Sequence, residues 1–208
     1  MALESIALIP SGYKATKVYS QLPVNGNGDF TFDRGTSTAQ TRVNKNGLIE
    51  SVAQDVPRLD YLDGGCPSLL LEPATTNLYT YSEDFTNSSW FKDNSTISAN
   101  SILSPDGSVN ADTLVEDGAN AIHSVRQLLA VTSGNDYTIS FFVKATANPR
   151  DLFIQCSDAG IKVYFDTTNW VVGAEVLGTG KVESYGNDWY RISASGTAVA
   201  TGSDIKGS

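Results

Sequence analysis

Rings and polar side chains alternate along the later part of this chain, and that alternation is where recognition chemistry would lie. Written as extended strands, Phe142, Phe153, Tyr164 and Trp189 fall on one side, interleaved with Lys144, Gln155, Lys162, Asp166 and Arg191. The other side carries Tyr137, Ile139, Phe141 and Val143, then Ile154 and Cys156, then Ile161, Val163 and Phe165, then Tyr190, Ile192 and Ala194. This second set reads as a core face. The first keeps one aromatic per strand beside a few directed hydrogen-bonding groups, the mixture with which a site grips the C–H faces and hydroxyls of a sugar. Aromatics with Arg also make protein interfaces, so a glycan platform and a packing surface both stand as readings of Phe142, Phe153, Tyr164, Trp189, Arg191, Gln155 and Lys162. Trp170, at a turn but in phase with Val172, Ala174 and Val176, reads as the rim of the core.

Catalytic groups are sparse. Asp60 with Asp63, or Glu83 with Asp84, would have to face each other across a cleft at about 5–10 Å to hydrolyse a glycoside, and adjacency in sequence does not supply that, so they read as turn carboxylates. His123 is the single histidine, without a second His or Cys at ligand spacing, and reads as structural or surface. No nucleophile triad can be assembled, and the chain reads as a non-enzyme. Asp106, Asn110 and Asp112 in SPDGSVNAD place three oxygen ligands by a glycine turn, a candidate for structural calcium although the spacing is not that of an EF-hand loop. No other cofactor is implied. The Gly-Asn-Gly of VNGNGDF lacks the Lys-Ser/Thr of a phosphate loop and reads as a turn.

The elements that must position these residues are strands. Gly, Ser, Thr and Asn recur every few residues and apolar positions alternate, so the expected class is all-β. An early short strand is expected at Asp29–Phe32, then a hairpin pairing Thr41–Val43 with Leu48–Val52 through a tight turn at Asn46-Gly47. The stretch RLDYLDGGCPSLLLEPATTNL follows, where Gly64-Gly65 allows a reversal and Ser68–Glu72 reads as a short buried strand stopped by Pro67 and Pro73. That seam is expected to join an N-terminal module of loops and hairpin, residues 1–75, to a jelly-roll-like β-sandwich, residues 76–208, at a defined angle. Sandwich strands are expected at Gln127–Val131, Tyr137–Ala145, Asp151–Cys156, Ile161–Phe165, Val171–Val176, Lys181–Tyr185 and Trp189–Ala194.

Charge and length bound the partners. The 208 residues suit one good core plus an appendage. A net charge of −9 with no Lys/Arg cluster argues against nucleic acid. The N-terminus carries Glu4 and breaks at Pro10, unlike a secretion signal, and no stretch is long and apolar enough for a membrane span. Two cysteines, Cys66 and Cys156, are too few for a disulfide framework and read as unpaired.

The phrases RVNKNGLIE, VPRLDY, CPSLLLEP and TNLYTYSEDFTNSSW, with SPDGSVNADTLVED and YGNDWYRIS further on, resemble tailed-bacteriophage virion proteins, in particular tail-fibre, head-fibre and other adhesin-like subunits. The resemblance implies an N-terminal module that docks on the particle and a jelly-roll domain similar to carbohydrate-binding modules. It also implies a structural role in the virion, assembled in the host cytoplasm among other virion proteins, with host-surface glycan as the ligand. A structural capsid or tail cement and a polysaccharide-cleaving enzyme are the alternatives. Thr75 stands where the family carries Arg, and SDIKGS ends the chain before further strands that the family usually supplies. A sandwich stopping there would leave uncovered edges, so either the sequence is part of a longer fibre or neighbouring subunits cover them, as a homotrimer would.

Overall fold

Turns rich in Gly, Asn and Asp set the strand lengths throughout. The computed structural model describes residues 33, 40–62, 65–73, 75–145 and 148–202 in full, and the backbone of 11–14, 17–20 and 206–207. The chain forms two compact units, Met1–Pro73 and Ala74–Ser208.

The first unit is built of antiparallel pairs. Strand β1 (Ser11–Lys14) pairs with β2 (Lys17–Ser20), β3 (Gln40–Val43) with β4 (Ile49–Val52), and β5 (Leu59–Asp60) with β6 (Ser68–Leu69). The strand expected at Asp29–Phe32 lies outside the described residues. The turn between β3 and β4 differs from the tight two-residue form: only Gly47 takes a positive φ, of 77°. Asn44 closes a wider loop, its amide donating to the Leu48 carbonyl at 2.8 Å and its side-chain oxygen accepting from the amides of Asn46 and Leu48. An Asn that can hydrogen-bond the backbone two residues on competes successfully with the two-residue turn.

The seam is also not the buried strand its leucines suggest. Leu69 and Leu70 are half-buried and Leu71 is 62 % exposed. What is buried is Arg58, whose guanidinium donates to Glu72 at 2.7 Å and to the Thr41 carbonyl at 3.3 Å, while Leu70 N bonds the Arg58 carbonyl. A hidden guanidinium needs such partners, and they fix the fold-back of Glu72 on β3. Asp60 contributes similarly, accepting from Val43 N and Leu62 N.

The second unit contains β7 (Phe91–Asp93), β8 (Ser95–Leu103), β9 (Val109–Glu116), β10 (Ser124–Arg126), β11 (Asp136–Val143), β12 (Leu152–Cys156), β13 (Ile161–Asp166), β14 (Val171–Leu177), β15 (Thr179–Ser184), β16 (Tyr190–Thr197) and β17 (Lys206–Gly207). A six-stranded sheet runs β14-β13-β12-β17-β10-β7, a three-stranded one runs β11-β16-β15, and β8 and β9 pair by themselves. No helix occurs among the described residues. The class is all-β, a sandwich of antiparallel sheets.

The core lies between the two larger sheets. Ile154, Cys156, Ile161, Val163 and Phe165 come from the six-stranded sheet, and Ile139, Ile192 and Ala194 from the three-stranded one, with Tyr137, Phe141 and Val143 packed at the margin. The alternation along these strands thus placed the core face correctly. One end of the core is aromatic: Trp170 stacks on Tyr190 with ring centroids 3.8 Å apart and planes 8° from parallel. Trp170 holds φ at 54°, a conformation costly for a bulky residue, and the stack across the sandwich offsets that cost. The other end is small. The β12–β13 turn approaches β16 so closely that a Cβ on Gly196 would overlap the carbonyl oxygens of Gly160 and Ala159.

Several strand bounds depart from expectation. In place of Gln127–Val131 the strand is β10, and Gln127 is buried with its side-chain amide bonded both ways to the backbone of Thr80, at 3.0 Å each. Val131 makes an isolated bridge to Gly202. Register shifts between β13 and β14 break the phase of β14, so Val172 packs on the core while Val176 is 57 % exposed. Cys66 and Cys156 are both free, the first exposed and the second in the core.

Candidate functional site

On the outward face of the three-stranded sheet, cross-strand register assembles rows of polar side chains. Phe142 pairs with Arg191 and Arg191 with Glu183; Ser140 pairs with Ser193 and Ser193 with Lys181; Thr138 pairs with Ser195 and Ser195 with Thr179. Residues directly opposite in an antiparallel pair share a face, so these rows form one platform. Phe142 stands 40 % exposed, edge-on to Tyr185 with centroids 4.9 Å apart. Beside it the Arg191 guanidinium donates to Ser140 Oγ at 3.3 Å and lies 3.9 Å from Glu183, whose carboxylate takes a 2.7 Å ion pair from Lys181. Thr138 and Ser195 hydroxyls bond each other at 2.8 Å. The result is an open, flat patch with one accessible ring, fixed charges of both signs and a ladder of hydroxyls. It can hold a ligand by stacking and directed hydrogen bonds.

This arrangement corrects the single aromatic face expected from sequence. Phe142 and Arg191 lie on the three-stranded sheet, whereas Phe153, Gln155, Lys162 and Tyr164 lie on the outward side of β12 and β13 in the other sheet. Alternation tells inside from outside but not which of two outsides a strand presents. On that second face Phe153 and Tyr164 pack at 5.6 Å, Lys162 sits over the Tyr164 ring at 5.8 Å, and Gln155 donates to Ser157. These side chains are half-buried and engaged with each other. Lys181 and Glu183 carry no aromatic signal in the sequence, although with the intervening Val182 they show the same alternation as β16.

Trp189 leaves the site altogether. It is 6 % exposed, and its Nε1 donates to the Leu103 carbonyl at 3.0 Å. Gly186, Asn187 and Asp188 all take positive φ, at 77°, 52° and 62°, in the turn just before it, and the indole is held by the Leu103 carbonyl at the end of β8. Asn and Asp accept that conformation more readily than other non-glycine residues.

The remaining candidates are structural in their contacts. The Asp106 carboxyl accepts from the Ser104 hydroxyl and Ser108 N, which hold it below its usual range, and it thereby caps the β8–β9 turn. Asp112 turns away, its two oxygens accepting from Asn100 N and Phe85 N. Asp106 and Asp112 thus serve separate sets of protein donors, and among the described residues no three His, Cys, Asp or Glu side chains cluster for a metal. Asp84 caps its own turn through Thr86. His123 Nδ1 bonds the Asn94 carbonyl at 2.7 Å. Asp63 lies outside the described residues.

Comparison with known proteins adds no further constraint: no protein-family profile, curated protein or solved structure matches this chain.

Proposed function

We propose that this chain is a non-enzymatic structural subunit of a tailed-phage particle, a fibre or decoration protein, whose second unit binds host-surface glycan on the outward face of β11-β16-β15. The observation that carries the binding reading is the exposed Phe142 in direct register with Arg191 and Glu183, a ring and a charged hydrogen-bonding pair on one open sheet face. Sugars present an apolar face and a hydroxyl edge, and this platform offers a partner for each. The virion assignment is supported by the motif phrases of the sequence, and with it come neighbouring virion proteins as partners and a homotrimeric assembly. A second reading, a cement subunit without ligand, is favoured by exposed apolar residues such as Leu103, Val109 and Val176, which suit contacts with other subunits.

Three measurements test these readings. The full chain is applied to a glycan array, where saturable binding lost in Phe142→Ala supports the platform, and absence of binding to any glycan overturns it in favour of the cement reading. Mass spectrometry of purified particles from the source phage tests the virion role, which fails if the chain is missing from them. Sedimentation at micromolar concentration reads the trimer, and a stable monomer removes it.

A further inference from the structure

The β3–β4 hairpin of the first unit carries a pocket of about 200 Å³ lined by Arg42, Asn44, Lys45, Asn46, Glu50 and Tyr61. Drug-sized ligands need about 300 Å³ or more, so this one suits a single small molecule or one sugar ring. Its carboxylate and the Asn44 amide oxygen are already committed. Glu50 Oε1 takes Arg42 Nε at 2.8 Å, Glu50 Oε2 takes Asn44 Nδ2 at 3.1 Å, and Asn44 Oδ1 takes the amides of Asn46 and Leu48. The hydrogen bonds from Asn44 and Arg42 keep the Glu50 carboxyl below its usual range, so it stays charged and bound to them.

What remains is mostly donors. Arg42 has N–H groups beyond those spent on Glu50, and no described residue hydrogen-bonds the Lys45 ammonium, the Asn46 side-chain amide or the Tyr61 hydroxyl. Two cations against one carboxylate leave the lining with a single net positive charge, in a chain whose total is −9. A pocket with this surplus selects an acceptor-rich ligand of one negative charge. Arg favours a planar carboxylate in particular, while Asn46 and Tyr61 suit adjacent hydroxyls.

We propose that this pocket binds a small hydroxylated carboxylate through Arg42, Lys45, Asn46 and Tyr61. A uronate residue of an acidic polysaccharide and a free hydroxy acid share that chemistry. The inference concerns the first unit and does not rest on the glycan platform of the second.

The test titrates the isotope-labelled full chain with glucuronate, lactate and glucose, following the side-chain amide signals of Asn44 and Asn46 and the Arg42 Nε–H by NMR. Glucuronate is expected to shift them saturably and to bind about ten-fold more tightly than glucose. Saturation by lactate as well identifies the carboxylate–hydroxyl pair as sufficient, whereas glucuronate alone identifies the sugar acid. Lys45→Ala, at an exposed turn position, is expected to weaken glucuronate several-fold while leaving the rest of the spectrum in place. Absence of saturable shifts with either acid, equal binding of glucose, or unchanged binding by Lys45→Ala overturns the proposal.

Discussion

The indole of Trp189 donates across 86 residues of sequence to the carbonyl oxygen of Leu103, tying the β8–β9 hairpin to the turn before β16. Truncation removes a buried ring and leaves that carbonyl without its donor. Trp189→Ala is therefore expected to destabilise the second unit by about 3–5 kcal/mol, seen as a lower urea midpoint. Trp189→Phe should recover most of the packing and lose only the hydrogen bond, about 1 kcal/mol. If Trp189→Ala unfolds at the wild-type midpoint, the buried position of the indole is wrong.

Phe142 should behave in the opposite way. Phe142 is 40 % exposed and meets Tyr185 by an edge contact, so Phe142→Ala is expected to cost about 1 kcal/mol of stability and about as much or more in glycan affinity. Arg191→Ala should also reduce binding, because it removes the partner of Ser140 and Glu183. Parallel melting curves and binding isotherms separate the two effects.

Gly196 is a packing position. Its neighbours across the sandwich are the backbone carbonyls of Ala159 and Gly160, which cannot rotate aside like a side chain. Gly196→Ala is expected to lose about 1–3 kcal/mol through forced separation of the β12–β13 turn from β16, measurable as a fall in melting temperature. Gly118→Ala, where a Cβ meets nothing within 4 Å, is the matched control and should be near neutral.

Acid should weaken the hairpin turns. Asp166 is held below its usual range by the Asn169 side chain first and by the amides of Asn169 and Thr168, and Asp106 by Ser104 and Ser108 N. A carboxyl whose folded pKa lies below its unfolded value stabilises the fold above the unfolded pKa, and that contribution fades as pH falls through the folded one. Stability is therefore expected to be level at neutral pH and to decline below about pH 4. Asp166→Ala should be less stable at pH 7 and show a shallower decline in acid; an identical pH profile would exclude Asp166 as a contributor.

How much of this was legible beforehand follows from what each signal encodes. Alternation in YTISFFV, LFIQC, IKVYF and YRISA identified the β class, the strands and the buried set Ile139, Ile154, Ile161, Val163, Phe165 and Ile192, because a side chain's inside or outside position depends only on the period of its own strand. The glycan candidates Phe142 and Arg191 were legible as outward residues for the same reason. That they share a platform with Glu183, and not with Phe153 and Tyr164, depends on which strands pair, and pairing joins residues far apart in sequence. Trp189 is buried by a partner 86 residues away, the Leu103 carbonyl of β8, which no local period can indicate. The leucines of the seam misled in another way: their apolarity suggested burial, but the interior space went to Arg58, whose ion pair with Glu72 and bond to Thr41 exist only once the chain has folded back. Local period and turn chemistry determined the elements; long-range pairing decided which side chains could act together.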